Sequence, residues 1–72
     1  MLKEIMLFAE HLALMIKGGI PLADALNTLK TEARNRTFKK TLEQILKRIL
    51  EGESLSKAME RHPKILINFL KI

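Results

Sequence analysis

The stretch Lys17-Gly18-Gly19-Ile20-Pro21-Leu22 decides how this chain folds, because it combines a helix stop with a helix start. Gly18 fits the position after a helix, where a left-handed conformation costs glycine little. Pro21 fits the first turn of the next helix, where its missing N–H loses no hydrogen bond. The connection is so short that it predicts two antiparallel helices packed side by side.

A second boundary of the same kind, Glu51-Gly52-Glu53-Ser54-Leu55-Ser56, lies in the second half of the chain. Gly52 ends one helix, and Ser54 is the expected cap of the next, because its hydroxyl can accept a free backbone N–H. His62-Pro63 ends that helix in turn, since the residue before proline is pushed out of the α region. These boundaries divide the chain into short helices.

Apolar residues recur between the boundaries at the spacing of helices rather than strands. The first helix runs from about Leu2 to Lys17, and its apolar stripe is broad enough to contact more than one neighbour. Asn35 or Thr37 caps the third helix. Inner faces are predicted at Leu2, Ile5, Ala9, Leu12 and Ile16, at Leu22, Ala25, Leu26 and Leu29, and at Phe38, Leu42, Ile45, Leu46 and Ile49.

The fourth helix covers Leu55 to about Arg61, and a further segment, Ile65 to Ile72, has almost no polar face. The sequence therefore predicts an all-α fold, a small antiparallel bundle of four helices plus a C-terminal apolar helical segment. A segment that is apolar on all sides is either buried completely or packs against something outside this chain.

Composition limits the class of protein. Residues 1–72 form at most one small domain with a thin core, and the absence of cysteine excludes disulfides and thiolate zinc sites. No apolar run approaches the ~20 residues of a membrane span, and the start lacks the regions of a signal peptide. We therefore expect a soluble, cytoplasmic chain. Its net charge of +5 permits an anionic partner without requiring one.

Together the two boundary segments resemble one known family. The pattern Phe8-x3-Leu12-x-Leu14-x3-Gly18-Gly19-Ile20-Pro21-Leu22-x-Asp24-Ala25-Leu26 resembles the opening of the bacterial type II secretion F domain, the family of GspF-like and PilC-like inner-membrane platform proteins. The run Leu42-x2-Ile45-x3-Ile49-x2-Gly52-x-Ser54-Leu55-Ser56-x-Ala58-Met59-x3-Pro63 is similar to a later block of the family. Gly18 stands where the family usually has alanine, and Lys57 stands where glutamate is common.

The resemblance implies a cytoplasmic helical module of a platform protein for type II secretion or type IV pilus assembly. It implies protein contacts with the assembly ATPase and other machine components, on the cytoplasmic side of the bacterial inner membrane. The family pattern continues with further helices and a membrane span. We therefore expect residues 1–72 to be a truncated cytoplasmic domain of a larger membrane protein.

Two surfaces are candidates for partner contacts. The basic cluster brackets the second interhelical turn and consists of Lys30, Arg34, Arg36, Lys39 and Lys40. It is either an ordinary solvated face, a contact for anionic lipid headgroups, or a contact for an acidic patch on a protein. The apolar surplus of the terminal segment predicts a homodimer. Its proposed contact residues are Ile65, Leu66, Phe69 and Leu70.

No side chains have the spacing of a catalytic, cofactor or metal site, so we expect no enzyme activity and no cofactor. His11 and Glu10 are adjacent on a helix and point in different directions, and His62 suits a contact with a helix C-terminus. Glu51 and Glu53 are favoured as solvated glutamates over a cation site shared with another chain.

The main alternative is a small basic module, similar to a helix-turn-helix, that binds nucleic acid through Ser54 to His62. Only Lys57 and Arg61 are basic on the fourth helix, and it carries no Asn or Gln that could read a base. These features favour protein contacts over nucleic acid.

Overall fold

The structure, a computed structural model, describes residues 2–71 as five helices joined by short connections. The helices are α1 (Leu2–Lys17), α2 (Leu22–Glu32), α3 (Arg36–Leu50), α4 (Leu55–Glu60) and α5 (Pro63–Leu70). The predicted all-α class is confirmed, and the apolar terminal segment is a helix that begins at Pro63 rather than Ile65. Ile72, the last residue of that predicted segment, lies outside the described residues.

The first reversal of the chain depends on Gly19, which has a φ of 88° in the left-handed region. The N–H of Gly19 donates to the Ile16 carbonyl and the N–H of Ile20 donates to the Met15 carbonyl, both at 3.0 Å. These two bonds form the Schellman motif that ends many helices. The prediction that Gly18 takes the left-handed position is wrong by one residue, because Gly18 still carries a helical hydrogen bond.

Pro21 lies at the N-cap of α2, one residue before the helical turn in which the sequence places it. Its φ of −54° and ψ of 137° are those of an extended residue. The Pro21 carbonyl accepts the N–H of Ala25 at 3.0 Å, which is the first hydrogen bond of the helix. The ring therefore starts α2 through its fixed φ and contributes no side-chain cap.

The second Schellman motif ends α3 at Gly52, which has a φ of 97°. The N–H of Gly52 donates to Ile49 and the N–H of Glu53 donates to Arg48, both at 3.0 Å. The Glu53 carboxylate also accepts a hydrogen bond from Arg61 Nη1 at 3.0 Å and lies 4.0 Å from Arg48 Nη1. Glu53 therefore links the end of α3 to the end of α4.

Side chains cap two of the helices, α3 and α4. Asn35 Oδ1 accepts the N–H of Phe38 at 2.9 Å, so Asn35 rather than Thr37 caps α3. Ser54 Oγ accepts the N–H of Lys57 at 3.2 Å and caps α4. Each bond satisfies one of the N–H groups that a helix leaves free at its start.

All five helices contribute to one apolar core. Helix α1 packs against α2 and α5, α3 packs against α2 and α4, and α4 packs against α5. The rings of Phe8 and Phe38 meet edge to face, with centroids 5.5 Å apart and planes at 83°. The core residues are Ile5, Phe8, Leu12, Ala25, Leu26, Leu29, Phe38, Leu42, Ile45, Ala58, Met59 and Ile65.

The inner face of α1 differs from the predicted face at both ends. Leu2 is 70% exposed and Ile16 is 39% exposed, although both fit the predicted stripe. Phe8 is 4% exposed and lies in the core. The buried stripe is displaced because α1 contacts α2 on one side and α5 on the other. The residues of α1 that are buried are those that face these two helices.

His62 connects α4 to α5, and its surroundings disfavour a charged imidazole. Its carbonyl accepts the N–H groups of Ile65 and Leu66 at the start of α5. Partial burial, followed by the nearby charges of Arg48 and Arg61, lowers the pKa of His62 below its ordinary value. The lowered pKa disfavours the charged imidazole, and the contact of His62 with a helix C-terminus stays a prediction.

We predict that Gly19→Ala lowers the free energy of unfolding by about 1–2 kcal/mol, because the left-handed conformation strains every residue with a Cβ. Gly18→Ala is the matched control, since its Cβ would meet only ordinary contacts at 3.5 Å and its φ is not positive. Urea denaturation followed by circular dichroism measures both. Equal losses in the two variants would contradict this assignment of the reversal.

We also predict that the chain loses stability as the pH falls below about 6.5, the pKa of a free imidazole. In that range the unfolded chain binds a proton at His62 more readily than the folded chain, because the folded pKa is lowered. The urea midpoint should decrease less in His62→Gln than in the original chain between neutral and mildly acidic pH. An identical decrease in both chains would show that His62 is not responsible.

Candidate functional site

The basic cluster lies around the turn between α2 and α3. Lys30 belongs to α2, Arg34 lies in the turn, and the remaining members lie at the start of α3. Arg34, Arg36 and Lys40 are exposed, whereas Lys30 and Lys39 are half-buried. Among residues 2–71 the only ion pairs are those of Glu53, so the charges of the cluster are not neutralised within the described chain.

Glu4 of α1 holds this turn in place. Its Oε1 atom accepts the N–H of Arg34 at 3.2 Å and the N–H of Asn35 at 3.4 Å. Both amides precede α3, where the backbone lacks helical partners. Sequence reasoning missed this role of Glu4, because no local spacing connects α1 with the second turn. The contact fixes the backbone from which Arg34 extends.

The two helices that carry the basic cluster expose few apolar residues. Within residues 2–71, none of the strongly exposed large apolar side chains belongs to α2 or to the part of α3 before Leu50. Exposed apolar residues of neighbouring segments do lie beside the cluster: Leu50 lines a pocket with Lys30, and Leu7 lines a pocket with Glu4 and Ala33. Such a surface suits acidic side chains of another protein.

An apolar groove of about 920 Å³ lies between the outer sides of α1 and α5. Leu2, Ile5, Met6 and Glu10 line its α1 side, and Lys64, Ile67, Asn68 and Lys71 line its α5 side. Leu2, Met6 and Ile67 are well exposed, with Met6 at 46% and Ile67 at 52%, whereas Ile5 is buried. One carboxylate lies on the α1 side and two ammonium groups lie on the α5 side. The groove thus combines an apolar floor with opposite charges on its two walls.

The four residues predicted for self-association are not all on this surface. Ile65 is 2% exposed and belongs to the core, and Leu66 and Phe69 are partly buried against it. Leu70, at 72%, is strongly exposed, and so is Ile67, which the sequence reasoning omitted. The prediction that Ile65 is available to a partner is wrong, because α5 uses that side to pack on the rest of the chain.

The remaining candidate site residues are Glu51, Glu53 and His11. Glu53 is half-buried in its two ion pairs rather than solvated as predicted, whereas Glu51 is exposed. His11 is also exposed on α1. Within residues 2–71, no group of three or more His, Asp or Glu side chains is arranged to hold a metal ion.

Helix α4 is a weak candidate for reading nucleic acid. It has only six residues, Leu55–Glu60. Of the two basic groups predicted for this helix, Arg61 is bound to Glu53 at 3.0 Å, which leaves Lys57. A recognition helix needs several side chains that reach base edges in a groove. The geometry therefore does not favour the helix-turn-helix alternative.

None of the helices within residues 2–71 has both the length and the apolar character that crossing a bilayer requires.

Comparison with a family model and comparison with individual proteins agree with each other. Residues 8–71 match the family described as type II secretion system (T2SS), protein F. The type IV pilus assembly protein PilC of Myxococcus xanthus is 35% identical over 63 residues, which is 88% of this chain and 15% of that protein. The type IV pilus assembly protein PilC of Thermus thermophilus is 33% identical over 61 residues, which is 85% of this chain and 15% of that protein.

No solved structure matches this chain significantly. The matched region of the family contains both glycine reversals, the two side-chain caps and most of the residues that line the groove. The chain spans only about 15% of the length of each PilC relative. Because the family match extends over residues 8–71, this chain belongs to the type II secretion system protein F family.

Proposed function

We propose that this chain is a helical docking module of an inner-membrane platform protein for type II secretion or type IV pilus assembly. The observation that carries the proposal is the family match over residues 8–71, together with the two relatives named as pilus assembly proteins. The module lies on the cytoplasmic side of the membrane. It acts by contacts with the assembly ATPase and other components of the machine, and it catalyses no reaction.

The basic cluster is the proposed contact for an acidic surface of the assembly ATPase. Three observations support it: the charges are not neutralised within residues 2–71, three of the five side chains are exposed, and Glu4 fixes the turn that carries Arg34. Charge pairs at the rim of an interface speed association and fix its orientation. Anionic lipid headgroups are the competing occupant, and binding to anionic vesicles distinguishes them from the ATPase.

The module also self-associates in this proposal. Self-association is supported by the many large apolar side chains that this small chain exposes. Among them are Leu2, Leu14, Leu50 and Leu70, each about 70% exposed. Small domains commonly complete a thin core by burying such residues against another copy.

We predict that Arg36→Glu weakens binding of the chain to the purified assembly ATPase of the same organism by at least about tenfold, or ~1.4 kcal/mol. Arg36 is exposed at the first position of α3, where glutamate also suits the helix dipole, so the fold should be retained. Isothermal titration calorimetry at two salt concentrations measures the affinity, and the original chain should bind less tightly at the higher salt concentration.

Lys57→Glu is the matched control, because Lys57 is also exposed in the first turn of its helix and the substitution makes the same change in charge. It should leave the affinity unchanged. Failure of the original chain to bind the ATPase, or equal weakening in both variants, would overturn the proposed contact. Tighter binding of anionic vesicles or duplex DNA than of the ATPase would favour the lipid or nucleic-acid alternative.

A further inference from the structure

We infer that the basic cluster receives an amphipathic helix of its partner, acidic at one end and apolar at the other, and that Leu50 is the apolar anchor for this helix. The inference rests on the ATPase contact proposed above and adds the chemistry and the direction of the partner segment. The acidic end of the partner helix lies over the start of α3, and its apolar end lies against Leu50.

One exposed stripe of α3 connects the basic cluster to Leu50. Residues that follow one another at intervals of four and three lie on the same face of a helix. Leu50 is about 21 Å from Arg36 along the helix axis, at a rise of about 1.5 Å per residue. The stripe consists of Arg36, Lys40, Glu43, Lys47 and Leu50, and all five residues are exposed. A straight face of this length suits a second helix, whose own residues meet it at the same intervals.

The apolar end of the stripe is continuous with the basic cluster. Leu50 is 70% exposed and lines a pocket of about 360 Å³ with Leu46 of the same helix and Lys30 of α2. Leu46 packs against the core, so it gives the pocket a fixed apolar wall. Lys30 belongs to the basic cluster as well as to this pocket. A partner that pairs with the cluster therefore reaches the pocket without leaving the surface of α2 and α3.

The two parts of this surface have different energetic roles. Exposed charges at the rim of an interface speed association and set orientation, but salt screens them. Most of the affinity of an interface comes from a few apolar or aromatic anchors that become fully buried. The basic cluster supplies the charges, and Leu50 supplies a large apolar side chain next to them.

The carboxylates on the same surface determine the direction of the partner helix. Glu51 follows Leu50, lines the same pocket and is exposed. Within residues 2–71 the ion pairs are those of Glu53, so Glu51 keeps its negative charge at the apolar end of the stripe. An acidic group of the partner would be repelled there and attracted by Arg36 and Lys40 at the other end. The acidic end of the partner helix is therefore assigned to the start of α3.

We predict that Leu50→Gln weakens binding of the chain to the purified assembly ATPase by at least about tenfold, because it removes the apolar anchor without changing any charge. Leu14→Gln is the matched control, since Leu14 is 69% exposed on α1 and lies outside both the stripe and the pocket. It should leave the affinity unchanged. Both side chains are at the surface, and circular dichroism verifies that each variant is folded.

The binding kinetics separate the anchor from the charges. Surface plasmon resonance on immobilised ATPase at two salt concentrations measures both rate constants. Leu50→Gln should raise the dissociation rate constant and leave the salt dependence of association unchanged. Arg36→Glu should instead lower the association rate constant, most strongly at the lower salt concentration.

Charge substitutions at the two ends of the stripe test the direction. Lys40→Glu should weaken binding at least about tenfold, because it opposes the acidic end of the partner helix. Glu51→Lys should not strengthen binding, because no acidic group of the partner lies near Leu50. Stronger binding by Glu51→Lys would place the acidic end at Leu50 and overturn the assigned direction.

The outcomes distinguish this inference from the proposed function on which it rests. An original chain that does not bind the ATPase would overturn the proposed contact itself. An original chain that binds, together with a Leu50→Gln variant that binds equally well, would overturn the apolar anchor and leave the contact of the basic cluster in place. Equal weakening by Leu14→Gln and Leu50→Gln would also overturn the anchor.

Discussion

The structure depends on a single shared core, in which the rings of Phe8 and Phe38 meet edge to face at 5.5 Å. Helices α2, α4 and α5 have 11, 6 and 8 residues, and isolated helices shorter than about 12–15 residues are marginal in water. Each of these helices is therefore stable only because its apolar side is buried against the others. The aromatic contact joins α1 to α3, two helices that are separated along the chain by α2.

The connections between helices are short and carry specific hydrogen bonds, so they position the core rather than merely joining its parts. Gly19 and Gly52 end their helices with the same pair of backbone bonds, and Asn35 and Ser54 cap the helices that follow a turn. Glu4 adds a contact from α1 to the second turn. Because the core is thin, the direction in which each helix leaves its turn decides which apolar residues it can bury.

The small size of the core also explains where the candidate contact surfaces lie. A small core cannot cover every apolar residue of α1 and α5, so a groove remains between the outer sides of these helices. The α2–α3 turn, by contrast, is polar and basic. The molecule thus has two chemically different surfaces, one suited to acidic side chains and one suited to an apolar helix. A docking module that contacts more than one partner needs such a separation.

The sequence by itself determined the all-α class, the approximate bounds of the helices, the Ser54 cap and the family, because helix ends and apolar spacing are local properties. Tertiary structure decided that Gly19 rather than Gly18 reverses the chain and that Ile65 belongs to the core. It also decided that Glu4 binds the second turn and that Leu2 and Met6 form a groove with Ile67. Which side of an apolar helix is buried depends on its neighbours, and no spacing within one helix specifies them.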